Sequence, residues 1–505
     1  MRRIQSTSLP RFLRSEEAPP KDVVEQPGPW RASFELRSIT PILGGGVQSF
    51  EPDQVDVVRV PAIRGHLRWW WRGLYQSWGD DADRTVADAL FAREAELWGG
   101  VGVPGHTREG AKESPGLRSR VRITVDLLAL GQVKPAGSHK WNDRGNLKAV
   151  PDWQIGSKLG YALFPLQRPQ RERQKHEEDD PARTRELPTR EIREGLQFRL
   201  RVAVPGAQPG SAPEKVEVAQ VLAAVWAWIF FGGLGARTRR GFGALELSKA
   251  PEIAELPSID HARWSRLFQA PQERDIPRWL EELEALASPA GRLWPFQLLL
   301  GKPMREAARA HQEMVGHLKD FRQAPGFARD PGSPRPGQSR WPEPHLLRTL
   351  APPGRPFDHS PSPDAAAAVR DGEVGAPRAA FGLPILVQFK DHGDQRANAT
   401  LSPLNAQRWP SPLLLRPLRL ANGQYASLTV RLPLRPPATV SVIFDAGAGN
   451  DDKTCAVAKS AGARVDIARF LKAARGDALQ AFEDWLIRDR GFQRVALGEK
   501  GASHA

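Results

Sequence analysis

Cysteine is nearly missing from this chain: Cys455 is alone among 505 residues. One thiol can form no internal disulfide and no C-x-x-C metal knuckle. Long apolar runs are missing too. The most hydrophobic stretch, Val221 to Phe231, falls far short of the roughly 20 residues a membrane span needs. The opening MRRIQSTSLPRFLRSEEAPP lacks the apolar core of a signal peptide. These absences lead to the expectation of a soluble cytoplasmic protein with no membrane partner.

Catalytic signatures are also absent. The sequence holds no G-x-S-x-G elbow, no H-E-x-x-H zinc motif and no Gly-Gly-Asp-Asp. His311 and His317 do not have the i,i+4 spacing of a helical ligand pair. Asp391-His392 with Asp394 offers loop donors, but such residues usually only shape turns. The reading is therefore no catalytic residues, no metal and no cofactor. His66 is kept as the one candidate general base.

Positive charge, by contrast, is abundant. The formal net charge is +14, and arginine far outnumbers lysine. The excess is spread along the chain, so it favours a folded surface for a polyanion such as nucleic acid or an anionic membrane. Compositional drift toward arginine is the competing explanation.

The most informative segment is Gly232 to Leu245, GGLGARTRRGFGAL. Arg237, Arg239 and Arg240 sit among glycines that include Gly233, Gly235 and Gly241. Glycine lets a backbone approach closely and adopt positive φ, and arginine forks match phosphate oxygens. Val218, Val221, Leu222, Val225 and Ile229 predict a helix over 214–231, with a Ser211/Glu214 capping box and Gly232 as its C-cap. The turn thus follows a helix and precedes a strand, the reverse of a dinucleotide or Walker loop, and no Gly-Lys-Ser/Thr follows. Two readings stand: a phosphodiester cradle, or a tight connection with solvated arginines.

A second segment, 63–78, reads IRGHLRWWWRGLYQSW. Ile63, Leu67, Trp70, Trp71, Leu74, Tyr75 and Trp78 form an apolar stripe. Arg64, Arg68 and Arg72 line its flank at i, i+4 and i+8. Trp70 and Trp71 are read as core. Trp69, off the stripe beside His66, either stacks a base or packs. Trp69, Trp78 and Trp98 are also candidates for an interface with a partner.

Along the chain, residues 1–29 read as a disordered tail. Residues 30–250 form a first domain in the order strand, helices, strand, strand, helix, strand, enlarged by insertions near 131–195. Within these, 159–166 is read as a strand and 167–194 as a mobile charged loop. Residues 251–505 form a second, helix-rich α+β domain. Its stretches 256–322 and 465–488 are read as helical, and 325–376 as a Pro/Gly-rich loop.

Several of these segments together resemble the RAMP superfamily, the RNA-binding subunits of CRISPR effector complexes, and within it the first-numbered RAMP subunits of type III-B (Cmr) complexes. They are ITPILGGG (39–46), RVPAIRGHLRWWWRGLY (59–75), EAELWGG (94–100), the 232–245 turn, SRWPEPHLLRTL (339–350), AAFGLPILVQFK (379–390) and SPLLLRPLRL (411–420). The resemblance implies an α+β fold of tandem ferredoxin-like (RRM-like) domains with long insertions. It also implies a non-catalytic role near the 3′ end of the guide RNA, with other RAMP subunits and target single-stranded RNA as partners. The RNA-contacting candidates are Arg64, His66, Arg68, Trp69, Arg72, Gly233, Gly235, Arg237, Arg239, Arg240 and Gly241. The alternatives are a metal-independent RAMP endoribonuclease that processes guide RNA, and a stand-alone basic nucleic-acid or lipid binder.

Overall fold

The computed structural model describes residues 29–46, 50–75, 84–100, 116–206, 211–257, 259–287, 297–324, 339–352, 375–389, 391–404, 406–445, 453–456 and 476–495, with short pieces at 328, 354, 356–359 and 474. Residues 1–28 of the predicted N-terminal tail lie outside them, as do Trp78 and residues 465–473.

The fold is mixed α/β with antiparallel sheets. The first strand, Trp30–Ser38, alternates strictly: Trp30, Ala32, Phe34 and Leu36 are buried while Arg31 and Arg37 face solvent. Gln197–Val204 alternates in the same way and pairs along its length with Trp30–Ser38. Its other edge carries Arg122–Ala129, and Leu245–Leu247 closes the far side of the first strand. In chain order, the last strand pairs the first, the first pairs the third, and the third pairs the second. The tryptophan helix Val60–Tyr75 follows the first strand and the helix Lys215–Phe231 follows the third.

The second sheet repeats that order. Gln297–Leu300, its first strand, pairs Tyr425–Arg431, the third, and Gln493–Arg494, the last. Tyr425–Arg431 also pairs Leu413–Arg419, the second. Helix Ala307–Gln323 lies between its first two strands in sequence, and Ala478–Arg490 between its last two. A separate sheet, Ile385–Val387, Ala399–Pro403, Thr439–Phe444 and Lys453–Ala456, is appended to it.

Helix Lys215–Phe231 ties the halves together. Every residue from Val218 to Phe231 is buried, so it is apolar all round, as a helix with core on every side must be. It packs against the tryptophan helix, helix Ile276–Ala287 and strand Leu413–Arg419. One apolar cluster consequently runs from Phe34 and Phe198 in the first sheet through Trp226 to Leu418, Leu428 and Val430 in the second.

Several expectations need correction. Residues 159–166 are short helical turns, Ser157–Leu159, Gly160–Leu163 and Phe164–Leu166; their apolar run packs as a satellite core, and Pro165 opens the last turn. The charged stretch 167–194 holds helix Gln170–Asp179 and strands Leu187–Pro188 and Glu191–Glu194. Buried Arg193 helps anchor it by donating to Leu130 O at 2.7 Å and Asp53 O at 2.8 Å. The stretch 256–322 is interrupted by strand Gln297–Leu300, and 325–376 contains helix Glu343–Leu350. The tryptophan helix begins earlier than expected, at Val60, and is described as far as Tyr75. At the start of Lys215–Phe231 no side chain caps the helix, so the expected capping box is not formed there.

Candidate functional site

The glycine–arginine turn folds back on the protein's own backbone. Gly232 N–H donates to Trp228 O at 2.9 Å, Leu234 N–H to Gly243 O at 2.9 Å, and Ala236 N–H to Leu43 O at 2.7 Å. Gly233 O accepts the Trp228 indole N–H at 3.1 Å. Gly235 and Gly241 have φ of +76° and +79°, and a Cβ there would meet Leu43 O at 2.5 Å and Leu415 O at 2.6 Å. The close approach that glycine permits is therefore used first by the chain itself.

The three arginines divide. Arg240 donates to Leu413 O at 3.2 Å and Phe381 O at 3.3 Å. Arg239 donates to Ser411 O and lies 5.4 Å over the Trp69 ring. Both thus bind the second half of the molecule. Arg237 is left-handed, at φ 58°, and its guanidinium sits 4.4 Å over the Phe164 ring. Among the described residues it donates to no acceptor. Burial pushes Arg239 and Arg240 down to about 10 and holds Arg237 below the usual value. Among the described residues, no carboxylate bonds any of the three. Arg322 extends the group, 5.8 Å over Tyr161 and 5.3 Å over Phe381. The nearby acid Glu343 is held by Arg378 at 2.9 Å.

On the tryptophan helix, Arg64 donates to Val121 O at 2.9 Å and to Ser119 Oγ. Arg68 and Arg72 both reach the buried Glu94 carboxylate at 2.7 Å. This row is thus largely tied to its neighbours. The His66 ring stacks on Trp228, centroids 6.4 Å apart, and burial holds its pKa below the usual value. Trp69 is half-buried and meets Trp70 edge-on at 4.9 Å. The helix and the turn therefore come together at Trp69 and Arg239. Trp70 and Trp71 are core, as read. Trp98 is core as well, 1% exposed, which corrects its placement at an interface. It closes the C-terminal end of helix Arg84–Trp98 against the tryptophan helix.

Three contributors escaped the sequence reading. Phe164 lay inside a segment read as a strand. Arg416 sits in the apolar run LLLRPLR of strand Leu413–Arg419, where a lone charge was the available signal. His311 was weighed only as a metal ligand. It is fully buried, edge-on to Phe242 at 4.6 Å, with Nε2 2.6 Å from Arg240 O. Burial pulls its pKa down to about 4, so the neutral ring donates Nε2–H to that carbonyl.

A pH dependence follows. The folded value lies below the ordinary 6.5, so the unfolded chain binds the proton more readily. His311 therefore contributes stability fully above about pH 6.5, and this is lost as pH falls toward 4. The gap is worth roughly 3 kcal/mol at most. His311→Gln, which can still donate, should flatten the fall of the unfolding midpoint between pH 6.5 and 4. A wild-type slope in the variant would exclude His311 as its source.

His359, Asp391 and Asp394 offer donor atoms within 4.8 Å of one another. Arg348 already holds Asp394 at 2.7 Å, so the group is a closed ion-pair cluster.

Residues 35–246 match the RAMP superfamily model. Over 220 residues the chain is 28% identical to the CRISPR system Cmr subunit Cmr1-1 of Pyrococcus furiosus, covering 43% of this chain and 47% of that protein. The match thus spans about half of that relative. Among solved structures, the apo crystal structure of Cmr1 from Pyrococcus furiosus aligns with 92% of this chain and 98% of its own, at 16% identity and a TM-score of 0.40. A chain of the type III-B Cmr-beta complex bound to cognate target RNA aligns over 80% of this chain and 94% of its own, at 12% identity and a TM-score of 0.42.

Proposed function

We propose that this chain is a non-catalytic RNA-binding subunit of a type III-B CRISPR effector assembly. It contacts the 3′ region of guide RNA, captured target RNA, or both, and works with other RAMP subunits. The match of residues 35–246 to the RAMP superfamily model and the similarity to a Cmr subunit support the assembly. The two sheets, each with helices after its first and third strands and the same pairing order, support a tandem ferredoxin-like reading.

The observation that carries the RNA reading is the set Arg237, Arg239 and Arg240, partly desolvated and without a bonded carboxylate among the described residues. Holding cations in this way is costly unless an anion arrives. Arg239 and Arg240 fix the turn and contribute field, while Arg237 keeps its donors for phosphate. His66 supports the non-catalytic reading. It faces Trp228, and among the described residues no nucleophile or second titratable group hydrogen-bonds it.

The test is binding of single-stranded RNA by the full chain across a salt series. Affinity should fall steeply with salt, and Arg237→Ala should reduce the log–log slope by about 0.7, one phosphate on a single strand. Salt-independent affinity would remove the phosphate-binding reading. Purification from the native host should recover other RAMP proteins and small RNAs; recovery of the chain alone would remove the assembly.

A further inference from the structure

We infer that Phe164 and Arg237 form a mononucleotide subsite for single-stranded RNA, in which the Phe164 ring stacks a base and Arg237 binds the adjoining phosphate. The inference rests on the RNA-binding reading above and adds a base contact from the insertion. Phe164 is 59% exposed, although Leu163 and Leu166 around it are fully buried. The ring is not loose. Its turn is pinned where Gln167 N–H donates to Phe164 O at 3.2 Å and Arg190 N–H donates to Leu166 O at 3.0 Å. Leu163 and Leu166 anchor the turn in the small core with Phe242 and Val315. The fold thus holds a large apolar ring out to solvent on a rigid mount, as a stacking platform requires.

Arg237 completes the subsite. Its left-handed backbone is uncommon for a residue with a side chain, and it aims the guanidinium over the Phe164 ring at 4.4 Å. Of the three arginines of the turn, this is the one whose donors meet no protein acceptor among the described residues. An exposed ring and, held against it, a planar fork whose N–H donors are free suit the base and the phosphate of one nucleotide. Stacking is tolerant of base identity, so the subsite reads strand and shape, not sequence.

The test uses the full chain and two fluorescent probes of equal length: a single-stranded oligoribonucleotide, and a ribose-phosphate oligomer lacking bases. Phe164→Ala should weaken binding of the first roughly 5- to 150-fold and leave the salt slope and the affinity for the second unchanged. Phe164→Trp should keep the affinity, and Phe164→Leu should lose it while keeping an apolar side chain. Arg237→Ala should weaken both probes. An equal effect of Phe164→Ala on the two probes would overturn the stacking assignment. So would no effect on RNA with loss of co-purifying proteins, which would make Phe164 a protein contact. If wild-type protein binds RNA with a steep salt slope while Phe164→Ala is silent, this subsite alone falls. If wild-type protein does not bind RNA, the proposed function falls with it.

Discussion

Arg416→Ala is expected to cost on the order of 3–5 kcal/mol of stability. The Arg416 side chain is 2% exposed. It donates to Ile229 O and Gly232 O at 2.9 Å each, to Leu245 O at 2.8 Å and to Pro417 O at 3.1 Å. Two of these acceptors stand at the C-terminal end of helix Lys215–Phe231, where carbonyls lack helical partners and a cation is favoured. Desolvation pulls the guanidinium down to about 9, and it remains charged at neutral pH. Truncation leaves buried carbonyls unpaired and opens a cavity. Arg416→Met should restore only the volume. Arg416→Lys lacks the planar fork that spans these acceptors and should restore little. The readout is the shift in the urea-unfolding midpoint of the transition that contains both sheets, converted to free energy with a common slope. A loss below about 1 kcal/mol for the alanine variant would show that water replaces the guanidinium readily.

The second large effect is expected at Trp71. It is fully buried, its indole N–H donates to Gln220 Oε1 at 3.0 Å, and its ring lies 5.6 Å from that of Tyr75. Trp71→Ala should cost about 3–5 kcal/mol through lost transfer energy and a residual cavity. Trp69→Ala, on the half-buried side of the same helix, should cost about 1 kcal/mol, mostly from its contact with Arg239. Comparable losses for the two variants would place Trp69 in the core after all.

These residues show what the sequence made legible. Strands such as Trp30–Ser38 and helices such as Lys215–Phe231 follow from local periodicity, which is why the succession of strands and helices over 30–250 could be read in advance, though not which strands pair. The turn was conspicuous because glycine and arginine cluster there. What local pattern does not contain is the far side of each contact. Arg240 binds Leu413 O and Phe381 O, both distant in sequence, so its part in holding the halves together was invisible. The sequence grouped Arg237, Arg239 and Arg240 as one cradle, whereas the fold ties Arg239 and Arg240 to Ser411 O and Leu413 O, so Arg237 and Arg240 should separate in experiment. The insertion was misread for a similar reason. Its charged residues suggested solvation, but Arg193 and Leu166 are buried against elements that periodicity cannot reveal.

The apolar cluster that passes from Phe34 through Trp226 to Val430 has a mechanical consequence. Two lobes that share one interior cannot swing apart without exposing it, so opening and shutting around a strand is not a motion this molecule has cheaply available. If the RNA-binding role proposed above holds, the binding surface is shaped before any strand arrives, and the conformational entropy lost on capture falls on the flexible polymer, not on the protein.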